Sequence, residues 1–446
     1  MESVKRRVFI KKSMVVSAGL AIGAPAYIKG FMQNKPSDTI NVAVAGINSR
    51  GGAHISNFAK IRNSRVVAVC DVDTNLFPNV IANTEKLGGV KPKAVVDFRD
   101  LLDDKGIDAV SIATPGYWHA LQTIWACQAG KDVYVEKPLS YNILEGRKMV
   151  QAARKYNRIV QVGTQYRSSR ISQKAVKLLQ EGVIGDIYMG RGTVYGFRGN
   201  IGRVPDSTVP EGVNWDLFRG PAPMIPFNKN HFHYNWHWYW DTSTGEFGNN
   251  GVHYMDRVRW AMKKDVHPTK ISCSGGYYVW DSDQEVPNLQ VATFEYDDGT
   301  IMELEVRSLY NPGDDDGLLF LGSKGYAKLG GNFQTFLGNN KEPAMTLTSK
   351  DLEEDPRRNE FEKDRIEFHF VNFIDCMRSR RWQDLNSDVL EGHMSTSMMH
   401  LGNIAYRTGR KLTFDGNTEK FIRDRDANTY LTREEYRKPY ILPKEV

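Results

Sequence analysis

Three short stretches of this chain carry residue types whose spacing could do chemistry. In "DVYVEKPLSYN" (132–142) the apolar run Val133-Tyr134-Val135 is followed at once by Glu136, Lys137 and Pro138. Charges placed by a proline at a strand exit are either a solvated strand end or a lysine held over a bound cofactor. Burial and nearby charge can lower an amine's pKa and make it a usable base. In "GINSRGG" (46–52) small residues stand between a strand and a helix. The G-x-G-x-x-G pattern lets a pyrophosphate reach free N–H groups at a helix N-terminus. Asn48 replaces its middle glycine, so Gly46, Asn48, Ser49, Arg50 and Gly51 form an imperfect version. Asp71 ends the next strand, where a carboxylate can accept the ribose hydroxyls of an adenosine and repel a 2′-phosphate. NAD is therefore expected, and Arg50 and Arg65 leave NADP as an alternative. The third stretch, "NKNHFHYNWHWYW" (228–240), mixes rings that stack on sugar C–H faces with Asn, His and Tyr that hydrogen-bond hydroxyls. It would serve equally as an aromatic mini-core under a long loop. Trp236, His237 and Trp238, with Tyr166 and Arg167, are candidate substrate-pocket residues. His231, His233 and His237 lack a supporting carboxylate pattern, and no metal is expected.

The elements that position these residues alternate. "TINVAVAG", "RVVAVCD", "KAVVDF", "IDAVSIATP", "DVYVEKP" and "RIVQVGTQ" read as buried parallel strands, most of them separated by helical segments. A βαβα succession over 38–163 implies α/β architecture: a doubly wound, Rossmann-type parallel sheet. Ligands bind at the carboxyl edge of such sheets. Thr114, Pro115, His119, Glu136 and Lys137 therefore gather near the glycine turn. Asn142 and Glu145 form a helix-starting cap directly after the lysine.

Over 164–410 the pattern becomes α+β with a large, mainly antiparallel sheet. "LQVATFEYDDGTIMELEVRS" is a hairpin turning at Asp298-Gly299, with Met302, Leu304 and Val306 on one face. Apolar stripes through Phe370, Phe373 and Met377, and through Leu390, Met394, Met398 and Leu401, mark two core helices. Residues 411–446 read as a polar tail. The irregular stretch 197–240 is long enough to be expected to be functional.

With 446 residues, 41% hydrophobic and 25% charged, the chain is globular and large enough for two domains. Most of its +6 net charge falls within the first 30 residues, so no nucleic-acid surface is implied. That stretch, "KRRVFIKKSMVVSAGLAIGAPAYIKG", has a basic start, a weakly apolar middle and small residues in the order of an export signal. Arg6-Arg7 before Phe9-Ile10-Lys11 is similar to a twin-arginine (Tat) signal, placed at 1–31. The expected location is periplasmic, with the Tat machinery as a partner and no stable membrane span after processing. Export in a folded state would leave Cys70, Cys127, Cys273 and Cys376 unpaired.

The ordered set of glycine turn, Asp71, "TPGYWH", "EKPLS", "VGTQYR" and "GNNGVHYMD" resembles the Gfo/Idh/MocA family of nicotinamide-dependent sugar and polyol dehydrogenases. The resemblance covers roughly 38–410. It implies an N-terminal Rossmann domain, a second domain whose open sheet often mediates homo-oligomerisation, and a carbohydrate substrate. It places Gln165 on the cofactor side and implies that Lys137 contacts substrate and cofactor. The family's Asp-x-x-x-His pair falls on Asn249 and His253. An amide orients a hydroxyl but takes no proton, so the acid–base work is left to Lys137, His253 or a further residue.

An exported enzyme meets no free NAD(H) pool, so its cofactor would be tightly bound and restored in each turnover. The expectation is an NAD(P)-dependent oxidoreductase acting at a carbinol carbon of a sugar, polyol or glycoside. One alternative is a redox-neutral glycosidase or keto-sugar lyase that oxidises, eliminates and re-reduces. Another is an inactive nucleotide- or sugar-binding module.

Overall fold

The computed structural model describes residues 39–310, 317–352 and 367–446. The expected export signal lies outside these residues. Six parallel strands form the first sheet: β1 (Ile40–Ala45), β2 (Ser64–Cys70), β3 (Lys93–Val95), β4 (Ala109–Ile112), β5 (Asp132–Val135) and β6 (Val160–Val162). Their spatial order is β3-β2-β1-β4-β5-β6, the doubly wound arrangement that the apolar runs predict. Strands β4 and β5 are buried at every position, which is why they read as continuous hydrophobic runs. The crossovers are helical, with α1 (Ser49–Lys60), α2 (Phe77–Gly88), α3 (His119–Gln128) and α4 (Ile143–Lys155). The start of α4 is fixed as expected, Glu145 N–H donating to Asn142 Oδ1 at 2.9 Å.

After α5 (Arg170–Gln180) the chain enters a ten-stranded sheet, and the short helix α6 (Trp215–Arg219) lies in the irregular stretch after its first strand. The sheet's members are β7 (Ile187–Tyr195), β8 (Lys270–Gly276), β9 (Leu289–Glu295), β10 (Ile301–Arg307), β11 (Gly317–Gly322), β12 (Gly325–Leu329), β13 (Phe333–Leu337), β14 (Met345–Leu347), β15 (Leu412–Asp415) and β16 (Lys420–Phe421). The order is β14-β13-β12-β11-β7-β10-β9-β8-β15-β16, and the β7–β10 pair is parallel. The β9–β10 hairpin turns at Gly299, whose φ of 81° requires glycine, and Met302, Leu304 and Val306 all point into the core. On that face lie α7 (Val252–Ala261) and α9 (Val389–Thr408), packed through Met255, Val258, Met398 and Leu401. The opposite face carries half-buried residues such as Met189, Arg191 and Glu303, with Arg191 paired to Glu303 at 2.7 Å.

The helix α8 (Glu367–Ser379) and the end of the chain pack back toward the first sheet. Tyr440 and Leu442 are buried in its core, with Tyr440 edge-on to Trp118 at 5.1 Å between ring centroids. All four cysteines are free. Among the described residues, no helix is long and apolar enough to cross a membrane.

Candidate cofactor and substrate site

The glycine turn is shaped by close approach. Gly46 has φ 77°, and a Cβ there would stand 2.5 Å from the Ala113 carbonyl oxygen on the neighbouring strand's exit. A Cβ on Gly51 would stand 1.9 Å from the carbonyl oxygen of Gly46, so α1 can press against the strand end here only without a side chain. Asn48 is extended, at φ −66°, which explains why the middle glycine is dispensable. Its side chain makes no cap on α1, so the residue that ordinarily satisfies the helix's first N–H groups does not do so here. Asp71 follows the end of β2 and accepts from Ile47 N–H at 2.9 Å and Asp73 N–H at 3.1 Å. Burial raises its pKa against those two donors. An uncapped helix start beside a half-buried carboxylate fits the pyrophosphate and adenosine ribose of a dinucleotide.

Glu136 is the hinge of the next layer. It accepts from Arg50 Nε at 2.7 Å, Gln165 Nε2 at 2.9 Å and the Lys137 N–H at 3.2 Å, and faces His54 Nε2 at 3.0 Å. Burial opposes its charge, yet Arg50 and then His54 hold the carboxyl well below the ordinary range. Arg50 is thereby paired with a carboxylate, and Arg65 Nε donates to Asn41 Oδ1 at 2.7 Å. His119 places both ring nitrogens on carbonyls that flank the lysine loop, Pro138 O at 2.8 Å and Thr114 O at 2.9 Å.

Lys137 emerges from this layer and crosses to the second half of the chain. Its Nζ donates to the Asn249 backbone oxygen at 2.7 Å and to Asn249 Oδ1 at 2.8 Å. Burial lowers its pKa, while Glu136 and then Glu246 work in the other direction. Asn249 sits in a π-helical turn, Phe247–Gly251, that runs directly into α7. Such turns occur often at functional sites. The amide is fixed in one orientation: its Nδ2 donates to Glu246 Oε2 at 3.0 Å while its oxygen faces the lysine. Glu246 is 1% exposed and also accepts from Arg198 Nη2 at 3.0 Å and from Asn250. The carboxylate absent at position 249 is thus present one helical turn earlier, behind the amide.

Lys137, Asn249, Asn250 and Arg198 line one cavity of about 410 Å³, with Glu246 behind its wall. Of the residues expected on the cofactor side, Gly46, Asn48, Ser49, Arg50, Asp71, Thr114, Pro115, His119, Glu136 and Lys137 line it. Gly51 and Gln165 stand behind that wall, one packed on the turn and the other bonded to Glu136. Of the substrate-side candidates, Trp236, His237 and Asn249 line the cavity. Burial brings the His237 pKa down to about 3. Trp238 is turned away into a small core with Tyr239 and Val286. The 228–240 stretch thus contributes to the cavity wall and also to a small aromatic core, where Phe232 packs with Trp215, Phe218 and the preceding Phe227.

Tyr166, Arg167 and His253 do not line this cavity. Arg167 is buried in ion pairs with Asp256 at 2.8 Å and Glu391 at 2.9 Å. Tyr166 packs edge-on to His253 at 5.5 Å and lies under the Arg257 guanidinium at 4.1 Å. His253, in the first turn of α7, has a buried Nδ1 with no hydrogen-bond partner among the described residues. Burial, then the charge of Lys137, hold its pKa well below the ordinary imidazole value.

His233, Arg198 and Glu246 are contributions that sequence reasoning missed. Each is set by a non-local contact, and only the histidine richness of 228–240 hinted at the first. Elsewhere, His267 and His393 both face Glu419 Oε1, at 3.0 and 2.6 Å, the group among the described residues with metal-like spacing. Arg147 occupies the same carboxylate at 2.6 Å, making this cluster a salt-bridged clasp between α4, α9 and the β15–β16 turn.

Comparison with known proteins agrees with this layout. Residues 40–164 match a profile described as oxidoreductase family, NAD-binding Rossmann fold, and residues 177–442 match the oxidoreductase family C-terminal alpha/beta domain. A glycosyl hydrolase family 109 protein 2 of Shewanella sp. (strain ANA-3) is 28% identical over 208 residues, covering 43% of this chain and 46% of the relative. The match thus spans about half the length of that curated relative. Among solved structures, the WlbA dehydrogenase from Bordetella pertussis, in complex with NADH and UDP-GlcNAcA, has a TM-score of 0.63 at 20% identity, covering 84% of this chain and 99% of the other. A levoglucosan dehydrogenase in complex with NADH and levoglucosan has a TM-score of 0.62 at 17% identity, with coverage of 84% and 99%. The aldose-aldose oxidoreductase from Caulobacter crescentus has a TM-score of 0.62 at 18% identity, with coverage of 84% and 100%. At such identities these structures share the fold, and the two profile matches establish that the chain belongs to the Gfo/Idh/MocA oxidoreductase family, with an NAD-binding Rossmann fold followed by its C-terminal α/β domain.

Proposed function

We propose that this protein oxidises a carbinol carbon of a sugar, polyol or glycoside, with its NAD retained and restored in each turnover. The observation that carries this reading is Lys137. A half-buried lysine with a lowered pKa is held by Asn249 in the same cavity as the glycine turn and Asp71. Bound NAD supplies the hydride acceptor. The chain's own residues would do the rest. Gly46, Ser49, Asp71 and the start of α1 hold the dinucleotide. Glu136 and His119 fix the loop that carries the lysine. Asn249 orients the lysine and, with it, a substrate hydroxyl. Lys137, as the free amine, takes the hydroxyl proton while hydride leaves the same carbon. Trp236 offers a ring face to the sugar.

A second reading is supported by the glycosyl hydrolase family 109 relatives. Oxidation at one carbinol acidifies the neighbouring C–H. Loss of that proton and of the glycosidic oxygen breaks the glycosidic bond, water adds, and the hydride returns to the carbonyl, giving net hydrolysis. The same Lys137 would serve the hydroxyl proton in both directions. The expected twin-arginine export and periplasmic location belong to this proposal, because a compartment without free NAD(H) suits a closed redox cycle. Assembly of copies through the open face of the ten-stranded sheet belongs to it as well.

The test is to denature the purified protein and assay the supernatant for NAD(H), then to incubate intact protein with aryl glycosides and with pairs of free sugars. Release of the aglycone without a net oxidised product supports the second reading, and an oxidised sugar formed with a reduced partner supports the first. Protein that carries no dinucleotide and binds none on re-addition would sink both.

A further inference from the structure

The irregular segment that roofs the cavity is fastened to the cofactor end of the first sheet. Residues 211–214 run beside 72–75: Asn214 N–H donates to Val72 O at 2.8 Å and Thr74 N–H donates to Gly212 O at 2.9 Å. The Thr74 hydroxyl donates to the same Gly212 carbonyl at 3.0 Å, and Asn75 Nδ2 donates to Glu211 O at 2.9 Å. Gly212 has φ 82°, and a Cβ there would stand 2.8 Å from both Thr74 Oγ1 and Asn75 Nδ2. Glycine alone allows so close a seam.

A second fastening lies over the glycine turn. His233, at a positive φ of 54°, accepts from Asn48 Nδ2 at 3.1 Å through Nδ1 and donates to Asp73 Oδ2 at 3.0 Å through Nε2. A neutral imidazole carrying its proton on Nε2 satisfies both bonds. Asp73 is itself held, accepting from Asn75 N–H at 3.0 Å and Asn75 Nδ2 at 2.9 Å. A non-glycine residue in the left-handed region is tolerated where the surroundings over-determine it, as they do at ligand clamps. Asn48, Asp71, Val72 and His233 all line the cavity.

We propose that residues 211–214 and His233 form a latch over the adenosine half of the bound dinucleotide, so that the nucleotide leaves only when the latch opens. The proposal rests on reading Asp71 and the Gly46 turn as the NAD cradle, and it supplies the physical means of retention that a closed redox cycle needs. Release would require the Asn48–His233–Asp73 bridge and the seam at Gly212 to part together, so the latch acts chiefly on the dissociation rate.

The experiment loads the full chain with labelled NAD, adds excess unlabelled NAD, and follows loss of label by rapid desalting. Wild type is expected to keep its label at least tenfold longer than His233→Ala and Gly212→Ala. Asn48→Ala combined with His233→Ala should release no faster than the quicker single variant, because the two residues share one bond. Should Gly212→Ala fail to fold, His233→Ala, whose side chain is partly exposed, still decides the matter. Release from His233→Ala at the wild-type rate overturns the latch and leaves the catalytic reading standing. Exchange from wild type as fast as mixing does the same. Wild type that binds no NAD overturns the cradle reading itself.

Discussion

Lys137 meets Asn249 where the family resemblance implies an aspartate, and Glu246 stands directly behind that amide. The lysine is half-buried and partly desolvated, which destabilises its charged form, and two carboxylates partly restore it. A base must be deprotonated to act, so turnover rises with pH through the lowered lysine pKa and levels off below the range of a free lysine. Replacing Glu246 by Gln removes a charge that raises that pKa, so the acid limb of kcat/KM against pH moves to lower pH. A limb that stays in place, or moves up, contradicts the assignment. Lys137→Met removes the proton acceptor and is expected to lower kcat by about 10²–10⁴-fold, the usual contribution of general base catalysis, with NAD content after desalting unchanged. His253 is held neutral by burial, so His253→Asn should leave the acid limb where it is. A limb that vanishes in that variant would make the histidine the titrating base.

At the scale of elements, the first sheet was legible because strands buried on both faces read as continuous apolar runs, and the ligand edge follows from their direction. The β9–β10 hairpin was equally plain from Asp298-Gly299 and the alternation after it. The insert was not. Its local composition allowed either a mini-core or a sugar-facing wall, and the choice is made residue by residue through distant contacts: Trp236 packs against Tyr117 at 6.1 Å while Trp238 packs against Val286. Glu246 escaped notice for a related reason, since a turn of π-helix alters which residues share a face and no 3.6-residue pattern announces it. That turn is anchored by Phe247 against α9, where a Cβ on Gly402 would stand 2.5 Å from the Phe247 ring. Gly402→Ala therefore overpacks the anchor, at a cost of about 1–3 kcal/mol. Urea unfolding should register that loss, and kcat should fall with it as Asn249 is displaced. Full activity with reduced stability would mean that the π turn does not depend on this contact.

Across the whole molecule, the two sheets are joined by buried charge as well as by apolar packing. Arg167 leaves the loop after β6 and meets Asp256 on α7 and Glu391 on α9, and Arg259 joins Glu391 from the α7 side. Ser395 completes the set by donating to Asp256 Oδ1 at 2.7 Å. Asp256 is 1% exposed, so its charge is tolerated only while Arg167 faces it. This geometry assigns Arg167 to holding α7, and with it the Lys137–Asn249 contact, rather than to the sugar itself. Arg167→Met leaves a carboxylate buried without its cation, a change that costs about 3–5 kcal/mol when one partner of a buried pair is removed. Chemical denaturation should show that loss, whereas KM for the sugar should hold in whatever fraction stays folded. If KM instead rises steeply while the unfolding midpoint is unmoved, Arg167 touches substrate, and the cavity extends past His253 to include it.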